Sequence, residues 1–336
     1  MKICFYARTK GSWYFDLLDF YSNDIKIFRE LGHEVITIHN WKSLPNDCDL
    51  YFVWWWSSGI IPIIKAKRFK KPVITIGNIH YADPSDQGYF QRPFYIKKFI
   101  KYSLKHSDVQ ISTAKIEYDG IVKLGAKNPL LIYHAIDGNK YSYKPNNNRE
   151  NFILTLTQLT KPNIQRKKVK EIILAFKKVS EKFRDLDLCI VGNTSDDGYP
   201  DLIKLVEDCG LSNKVKFLGR VSDEEKINLY QRCKIYVQPT SFEGFGMAIA
   251  ESMLCGAPVV TSKKGAVPEV AGDLAVYVEP DNIDGIANGI LLLLEDRILY
   301  DKLCVEGSKR IRDKFSYEAR KLKIIELLDN FAKKNS

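Results

Sequence analysis

The sequence predicts an α/β protein made of two doubly wound, parallel-sheet domains. Three observations carry that expectation. Short Val/Ile-rich runs alternate with amphipathic segments of helix length along the whole chain, as expected for strands covered on both faces by crossover helices. The rhythm breaks at the polar stretch Tyr141–Asn151, where Lys144-Pro145-Asn146-Asn147-Asn148-Arg149 reads as a linker. A length of 336 residues allows two cores of ordinary size. The boundary is therefore placed between residues 1–145 and 146–336.

In the first domain, strands are expected at Lys2–Ala7, Glu34–Ile38, Asp49–Trp54, Pro72–Ile76, Asp108–Ile111 and Leu130–Tyr133. A helix over Asp24–Leu31 stops at Gly32, a residue suited to the left-handed turn that ends helices. In the second domain the expected strands are Phe152–Thr157, Leu186–Val191, Val215–Leu218, Ile235–Val237, Pro258–Thr261 and Ala275–Val278. Tyr317–Lys334 reads as an amphipathic helix with Leu322, Ile325, Leu328 and Phe331 at helical spacing, packed on its own domain. Sheets of this kind bind ligands at the carboxyl ends of their strands, and with two domains the cleft between them is the expected site.

Composition narrows the class. Hydrophobic residues make up 45% and charged residues 27%, which excludes wholesale disorder. The longest apolar stretches, around Ile60–Ile64 and Ile290–Leu294, are too short to cross a bilayer, and Met1–Tyr6 meets Arg8 and Lys10 too soon for a signal peptide. The seven cysteines are scattered and never form a CxxC pair, so neither a disulfide framework nor a zinc site is expected, and a reducing cytoplasm is the natural compartment.

The chemistry concentrates in Ser241-Phe242-Glu243-Gly244-Phe245-Gly246-Met247-Ala248-Ile249-Ala250-Glu251. This segment follows the strand Ile235–Val237. Gly244 and Gly246 let the backbone turn tightly and approach a ligand, and Met247–Leu254 then opens a helix whose free N–H groups suit an anion. Glu243 lies in the loop and Glu251 about two helical turns on, so the pair can serve groups at either end of that ligand. On its own the pattern is equally consistent with a dipole-favouring Glu243 and a solvated Glu251. Gln165-Arg166-Lys167-Lys168 tips the balance, because it follows the first strand of the same domain and delivers Arg166 and Lys167 to the same crevice. A guanidinium, an ammonium and a helix start make a diphosphate site without metal. Lys168 and Lys170 are better read as a solvated helix start. Neither a GxxxxGK[ST] loop nor a GxGxxG fingerprint occurs.

At these residues the second half resembles the donor-binding domain of GT-B-fold retaining glycosyltransferases of family 4. The two glutamates seven residues apart in a Glu-Gly-Phe-Gly context are that family's hallmark. The resemblance continues through Gly256-Ala257-Pro258-Val259-Val260, Gly265-Ala266-Val267-Pro268-Glu269, Phe217-Leu218-Gly219 and the Arg-Lys pair, covering residues 151–315. It implies a GT-B fold of two Rossmann-like domains, the first binding the acceptor and the second a UDP- or GDP-linked sugar. It also implies a retaining, metal-independent hexosyltransferase without a cofactor. Glu243 and the backbone of Gly244, Phe245, Gly246 and Met247 would contact the donor sugar, Glu251 the ribose, Arg166 and Lys167 the diphosphate, and Leu218, Arg220 and Val221 would lie beside the base. The chain departs from the family at Thr157-Gln158, where a Gly-Arg is usual, at Lys167-Lys168 for Lys-Gly, and at His134-Ala135 for Asn-Gly.

The first half carries fewer signals. His80 follows the strand Pro72–Ile76, where the family often has an active-site histidine, although a lone histidine is more often structural. Gly11, Ser12 and Trp13 occupy the place of the family's acceptor loop without its paired glycines, and Trp54-Trp55-Trp56 ends a strand at the same face, where an aromatic wall including Trp56 suits sugar or lipid, although one or two of these tryptophans equally suit the core. Asp47-Cys48-Asp49 has Asp-x-Asp metal spacing but precedes its strand, so it is rejected as a metal site. Residues 1–150 carry a net charge of +8, concentrated in Lys65–Lys71 and in Lys97, Lys98, Lys101 and Lys105, with Phe94, Tyr95, Phe99 and Tyr102 interleaved. Such a stripe suits peripheral contact with an anionic membrane or a lipid-linked acceptor, or equally a solvated helix with its aromatics turned inward. No nucleic-acid recognition motif appears. The alternatives to a transferase are a non-catalytic sugar-nucleotide-binding subunit of a transferase complex and a basic membrane-surface binding protein.

Overall fold

The structure is a computed structural model that describes residues 1–85, 88–145 and 149–335. The chain divides into two compact units, residues 1–135 with 317–336, and residues 136–316. All the expected strands form, most with their ends shifted by a residue or two. The first sheet contains β1 (Lys2–Ala7), β2 (Glu34–Ile38), β3 (Leu50–Trp54), β4 (Val73–Ile76), β5 (Val109–Ser112) and β6 (Pro129–Leu131), in the order β2-β1-β3-β4-β5-β6. The second contains β7 (Phe152–Leu156), β8 (Asp187–Val191), β9 (Val215–Gly219), β10 (Ile235–Gln238), β11 (Val259–Thr261) and β12 (Val276–Tyr277), in the order β12-β11-β10-β7-β8-β9. Every pairing is parallel.

Each order contains one place where the winding reverses. In the first sheet it lies between β1 and β3, and in the second between β7 and β10. At such a point the loops leaving two neighbouring strands diverge, and the crevice beyond their carboxyl ends takes ligands. The sequence-selected groups follow these strands: Arg166 and Lys167 come after β7, Glu243 after β10. Strand burial explains the hydrophobic runs. Ile153, Ile190, Val237 and Val260 are buried in one cluster with Phe176, Ile286 and Ile290, which come from two helices packed against each other over the sheet.

The division of the chain falls elsewhere than the sequence reading put it. Asn146–Asn148, at the expected boundary, lie outside the described residues, and the units change at Ala135/Ile136 and again at Ser316/Tyr317. The helix Tyr317–Asn335 joins the first unit rather than its own second domain. Its inward stripe is Ile324, Leu327 and Leu328, buried with Phe5, Phe28 and Phe52, while Leu322 is 61% exposed. Leu328 and Phe331 pack inward as expected, while Ile324 and Leu327 take the place of Leu322; Arg320 anchors the helix with a forked ion pair to the fully buried Asp24 (Nε–Oδ1 2.6 Å, Nη2–Oδ2 2.9 Å). Among the described residues no helix is long and apolar enough to cross a membrane.

Candidate functional site

In the second unit, Lys161–Lys167 forms a short helix after β7, and Lys168, at φ +57°, turns the chain into the helix Val169–Lys182. This elbow presents Arg166 and Lys167 to the loop after β10. Ser241 N donates to Arg166 O at 2.7 Å, and Thr240 Oγ1 does so at 3.1 Å, so the two switch-point loops are stitched by backbone as well as side chains. Arg166 Nη1 donates to Phe242 O (2.9 Å) and to Glu243 Oε1 (3.0 Å), and Nη2 donates to Asn163 Oδ1 (3.1 Å). Gln238 Nε2 donates to the same Glu243 oxygen at 2.8 Å, and Lys167 Nζ lies 3.7 Å from it while donating to Gln238 Oε1 at 3.3 Å.

One carboxylate oxygen of Glu243 is thus held by three protein groups, while Oε2 accepts no hydrogen bond among the described residues. Arg166 Nε is likewise buried without a partner there. A free acceptor beside free cationic donors can take a hydroxyl and a phosphate at once. Burial pushes the Lys167 ammonium below the ordinary lysine value of 10.5, against the pull of Glu243. Lys168, expected to be solvated, is instead buried and paired with Asp281 at 2.5 Å; Lys170 is exposed as expected.

Gly246, at φ +96°, starts the helix Met247–Leu254, a conformation that a side chain disfavours. Gly265, at φ +62°, is tighter still: a Cβ there would sit 2.2 Å from Glu243 O. The next amide, Ala266 N, donates to that carbonyl at 2.8 Å. Glu251 is buried, its Oε2 accepting from Tyr230 Oη at 3.2 Å with Lys226 Nζ at 3.8 Å. The Phe245 side chain packs edge-on against Phe315, which leaves its backbone and that of Gly244 and Met247 to meet a ligand. Leu218 and Arg220 are exposed and Val221 half-buried at the end of β9, two strands from the switch point. Sequence reasoning missed Gln238, Tyr230, Lys226 and Gly265 as parts of this site. A polar residue at the end of an otherwise apolar strand was the available signal for Gln238.

In the first unit His80 also adopts φ +54°, held after β4 by Glu117, whose Oε2 accepts from Ile79 N (2.7 Å) and His80 N (2.9 Å). Burial pushes the Glu117 carboxyl up, and the His80 charge and these amides oppose it. The ring Nδ1 lies 3.5 Å from the buried Asp83 Oδ2. Trp13 is 50% exposed and stacks on Tyr14, and a Cβ on Gly11 would strike its indole at 2.7 Å; Ser12 is exposed beside them. Trp56 corrects the sequence reading. It is 2% exposed under Gly77, because the chain turns at Trp55 (φ +74°) and drives the next side chain inward. Trp55 is the residue that borders open space. Asp47 and Asp49 are taken up by Lys2 and Lys71. In the helix Phe94–His106, Phe94, Tyr95 and Phe99 are exposed beside the lysines rather than turned inward.

"O-antigen chain mannosyltransferase B" of Escherichia coli is 40% identical over 101 residues, 30% of this chain and 26% of that protein. "Capsular polysaccharide biosynthesis glycosyltransferase CapM" of Staphylococcus aureus is 27% identical over 224 residues, 65% of this chain and 57% of that protein. The chain thus spans less than two thirds of the length of these relatives. Among solved structures, sucrose-phosphate synthase from Thermosynechococcus elongatus superposes with a TM-score of 0.80 at 17% identity, covering 98% of both chains. Anabaena Alr3699/HepE in complex with UDP-glucose gives 0.77 at 19%, covering 98% of this chain and 100% of that one. Likeness at that identity establishes the fold, which is GT-B. The family described as "Glycosyl transferases group 1" matches residues 140–321, more than half of the sequence, and the chain belongs to that family.

Proposed function

We propose that this chain is a retaining, metal-independent glycosyltransferase that moves a hexose from a nucleotide-diphosphate sugar to an acceptor hydroxyl. The observation that carries the reading is the cluster at the β7/β10 switch point, where Arg166, Lys167 and a helix start surround a carboxylate with one oxygen left open. As the glycosidic C–O bond breaks, negative charge builds on the leaving diphosphate. Arg166, Lys167 and the amides after Gly246 stabilise it, the task that Mg²⁺ performs in other transferases. Glu243 Oε2 accepts a donor-sugar hydroxyl, and Glu251, steadied by Tyr230 and Lys226, takes the ribose. The backbone at Leu218, Arg220 and Val221 borders the base. The acceptor hydroxyl attacks from the face the diphosphate leaves, and a diphosphate oxygen takes its proton.

The first unit is read as the acceptor half, with His80 and the loop Gly11–Trp13 on the acceptor side. The lysines and exposed aromatics of Phe94–His106 suit contact with an anionic membrane surface on the cytoplasmic side, where a lipid-linked acceptor would be found. Relatives named as mannosyltransferases and a neighbour holding UDP-glucose make GDP-mannose and UDP-glucose the first donors to try. UDP or GDP at 100 times its dissociation constant should stabilise the protein by about 2.7 kcal/mol in a thermal melt. Glu243→Gln should abolish transfer, and turnover should persist in EDTA. Nucleotide binding with no turnover of any donor sugar would instead assign a non-catalytic subunit.

Gly265→Ala tests the same site from outside the charged cluster. Alanine at a left-handed position costs roughly 1–2 kcal/mol, and its methyl group must displace the Glu243 backbone. We expect kcat/KM to fall at least about tenfold, the equivalent of about 1.4 kcal/mol, in a protein that still folds. Full activity would show that Glu243 need not be held.

A further inference from the structure

We propose that the crevice at the first sheet's switch point is a pocket for an acceptor whose sugar carries an anionic group, phosphate or carboxylate, recognised by Arg8 and Lys10. The proposal rests on reading the first unit as the acceptor half, and it adds the chemical class of the acceptor. Its starting point is topology. β1 and β3 are neighbours whose following loops diverge, and Arg8, Lys10 and Trp55 come directly after them. A cavity of about 470 Å³ opens there, lined by Arg8, Lys10, Tyr14, Phe20, Tyr21 and Trp55 among others. That volume falls within the range of small-molecule sites.

The walls suit a sugar ring. Tyr14, Phe20 and Trp55 are half-buried and offer apolar faces, with polar tips on Tyr14 and Trp55, the combination that covers the C–H face of a sugar while leaving its hydroxyls hydrogen-bonded. Trp55 is held in place at a cost. Its φ of +74° is strained for a bulky side chain, and it persists because its N–H donates to Ile76 O (2.8 Å) and its indole donates to Tyr21 Oη (2.5 Å). Tyr21, which accepts that bond, keeps its own proton available to donate, since burial pushes the phenol up to about 12. Thr9 Oγ1 donates to Gly11 O at 2.8 Å and shapes the loop carrying the two cations.

The charge selects the ligand. The lining holds two cations and no carboxylate, and among the described residues neither Arg8 nor Lys10 has an ion pair. Several other cations of this basic unit are neutralised at short range, as Lys67 is by Asp108 and Lys115 by Asp119. Two unneutralised cations at the rim of an aromatic pocket favour a ligand that brings the missing negative charge next to a ring.

The test titrates the full chain with mannose 6-phosphate, glucuronate and free mannose, following tryptophan fluorescence. Saturating UDP or GDP is present throughout, so that the diphosphate site is filled. At least one of the anionic sugars should bind about tenfold or more tighter than mannose, as charge-assisted hydrogen bonds imply. Arg8→Gln combined with Lys10→Gln should bring that preference to within about threefold while mannose binding is unchanged. Both side chains are exposed, so the variant is expected to fold, and its melting curve verifies this. A preference for mannose 6-phosphate identifies a phosphate-bearing acceptor, and one for glucuronate a uronic acid. Equal binding of all three sugars, or a preference that survives in the double variant, overturns the proposal. Because binding rather than turnover is read, the outcome stands whether or not the chain proves to transfer sugar.

Discussion

Lys167→Met should lower kcat by about 10²–10³, the usual loss when one group that stabilises transition-state charge is removed, and should leave the protein as stable as before or more so. The two halves of that expectation have one cause. Lys167 sits among Glu243, Arg166 and Gln238, where burial holds its ammonium below the ordinary 10.5. A lysine whose folded-state value is depressed carries its charge into the fold at a cost. That cost is present at neutral pH and is relieved as pH climbs from the folded value to 10.5, where the unfolded chain binds more protons than the folded one. Methionine has a similar volume and no charge, and Glu243 keeps Arg166 at 3.0 Å. The difference in stability between Lys167→Met and the parent should therefore shrink as pH rises through that window. Turnover of the parent should fall in the same window as the ammonium is lost. Paired melts and rates between about pH 7 and 10.5 check both. A variant that is inactive because it is less stable at pH 7 would show that Lys167 is structural.

The donor half was legible in the sequence because its chemistry is local. Glu243 and Glu251 reach one ligand because a loop and two helical turns separate them. Gly246 between them is fixed by a backbone angle that other residues disfavour, and Arg166-Lys167 follows a strand that any alternation of apolar runs reveals. What stayed hidden comes through space. Gln238 bridges Lys167 to Glu243 because β10 lies beside β7, an adjacency set by sheet order and not by sequence order. Gly265 matters because its Cα passes the Glu243 backbone from a loop that follows another strand. Trp54, Trp55 and Trp56, at the end of β3, could not be sorted from sequence, since one left-handed residue at Trp55 decides which of them is core. Amphipathic spacing in the last helix says that it packs. It does not say against what, and its anchor, Asp24, is 296 residues away.

That anchor sets the largest expected change in stability. Arg320→Met should destabilise the first unit by about 3–5 kcal/mol, because it leaves Asp24, fully enclosed, without its counter-charge. The same guanidinium donates from Nη1 to Ile132 O (3.1 Å) and Tyr133 O (2.5 Å), so the substitution also orphans carbonyls at the end of the first sheet. Asp24→Leu combined with Arg320→Met removes the charge problem but not the carbonyl one. It should recover at least about 2 kcal/mol of the loss and not all of it. The pH dependence has a definite sign. Burial pushes the Asp24 carboxyl above 3.8 even with Arg320 opposing it. Without Arg320 the carboxyl moves higher still and takes up a proton in the folded state, so the variant's deficit should be largest at neutral pH and shrink as pH falls toward 4. Hydrogen exchange along Tyr317–Asn335 would localise the effect, since this helix is fastened to the unit by that pair and by Ile324, Leu327 and Leu328. A cost below about 1 kcal/mol, or a deficit that grows on acidification, would mean that the apolar stripe alone holds the helix in place.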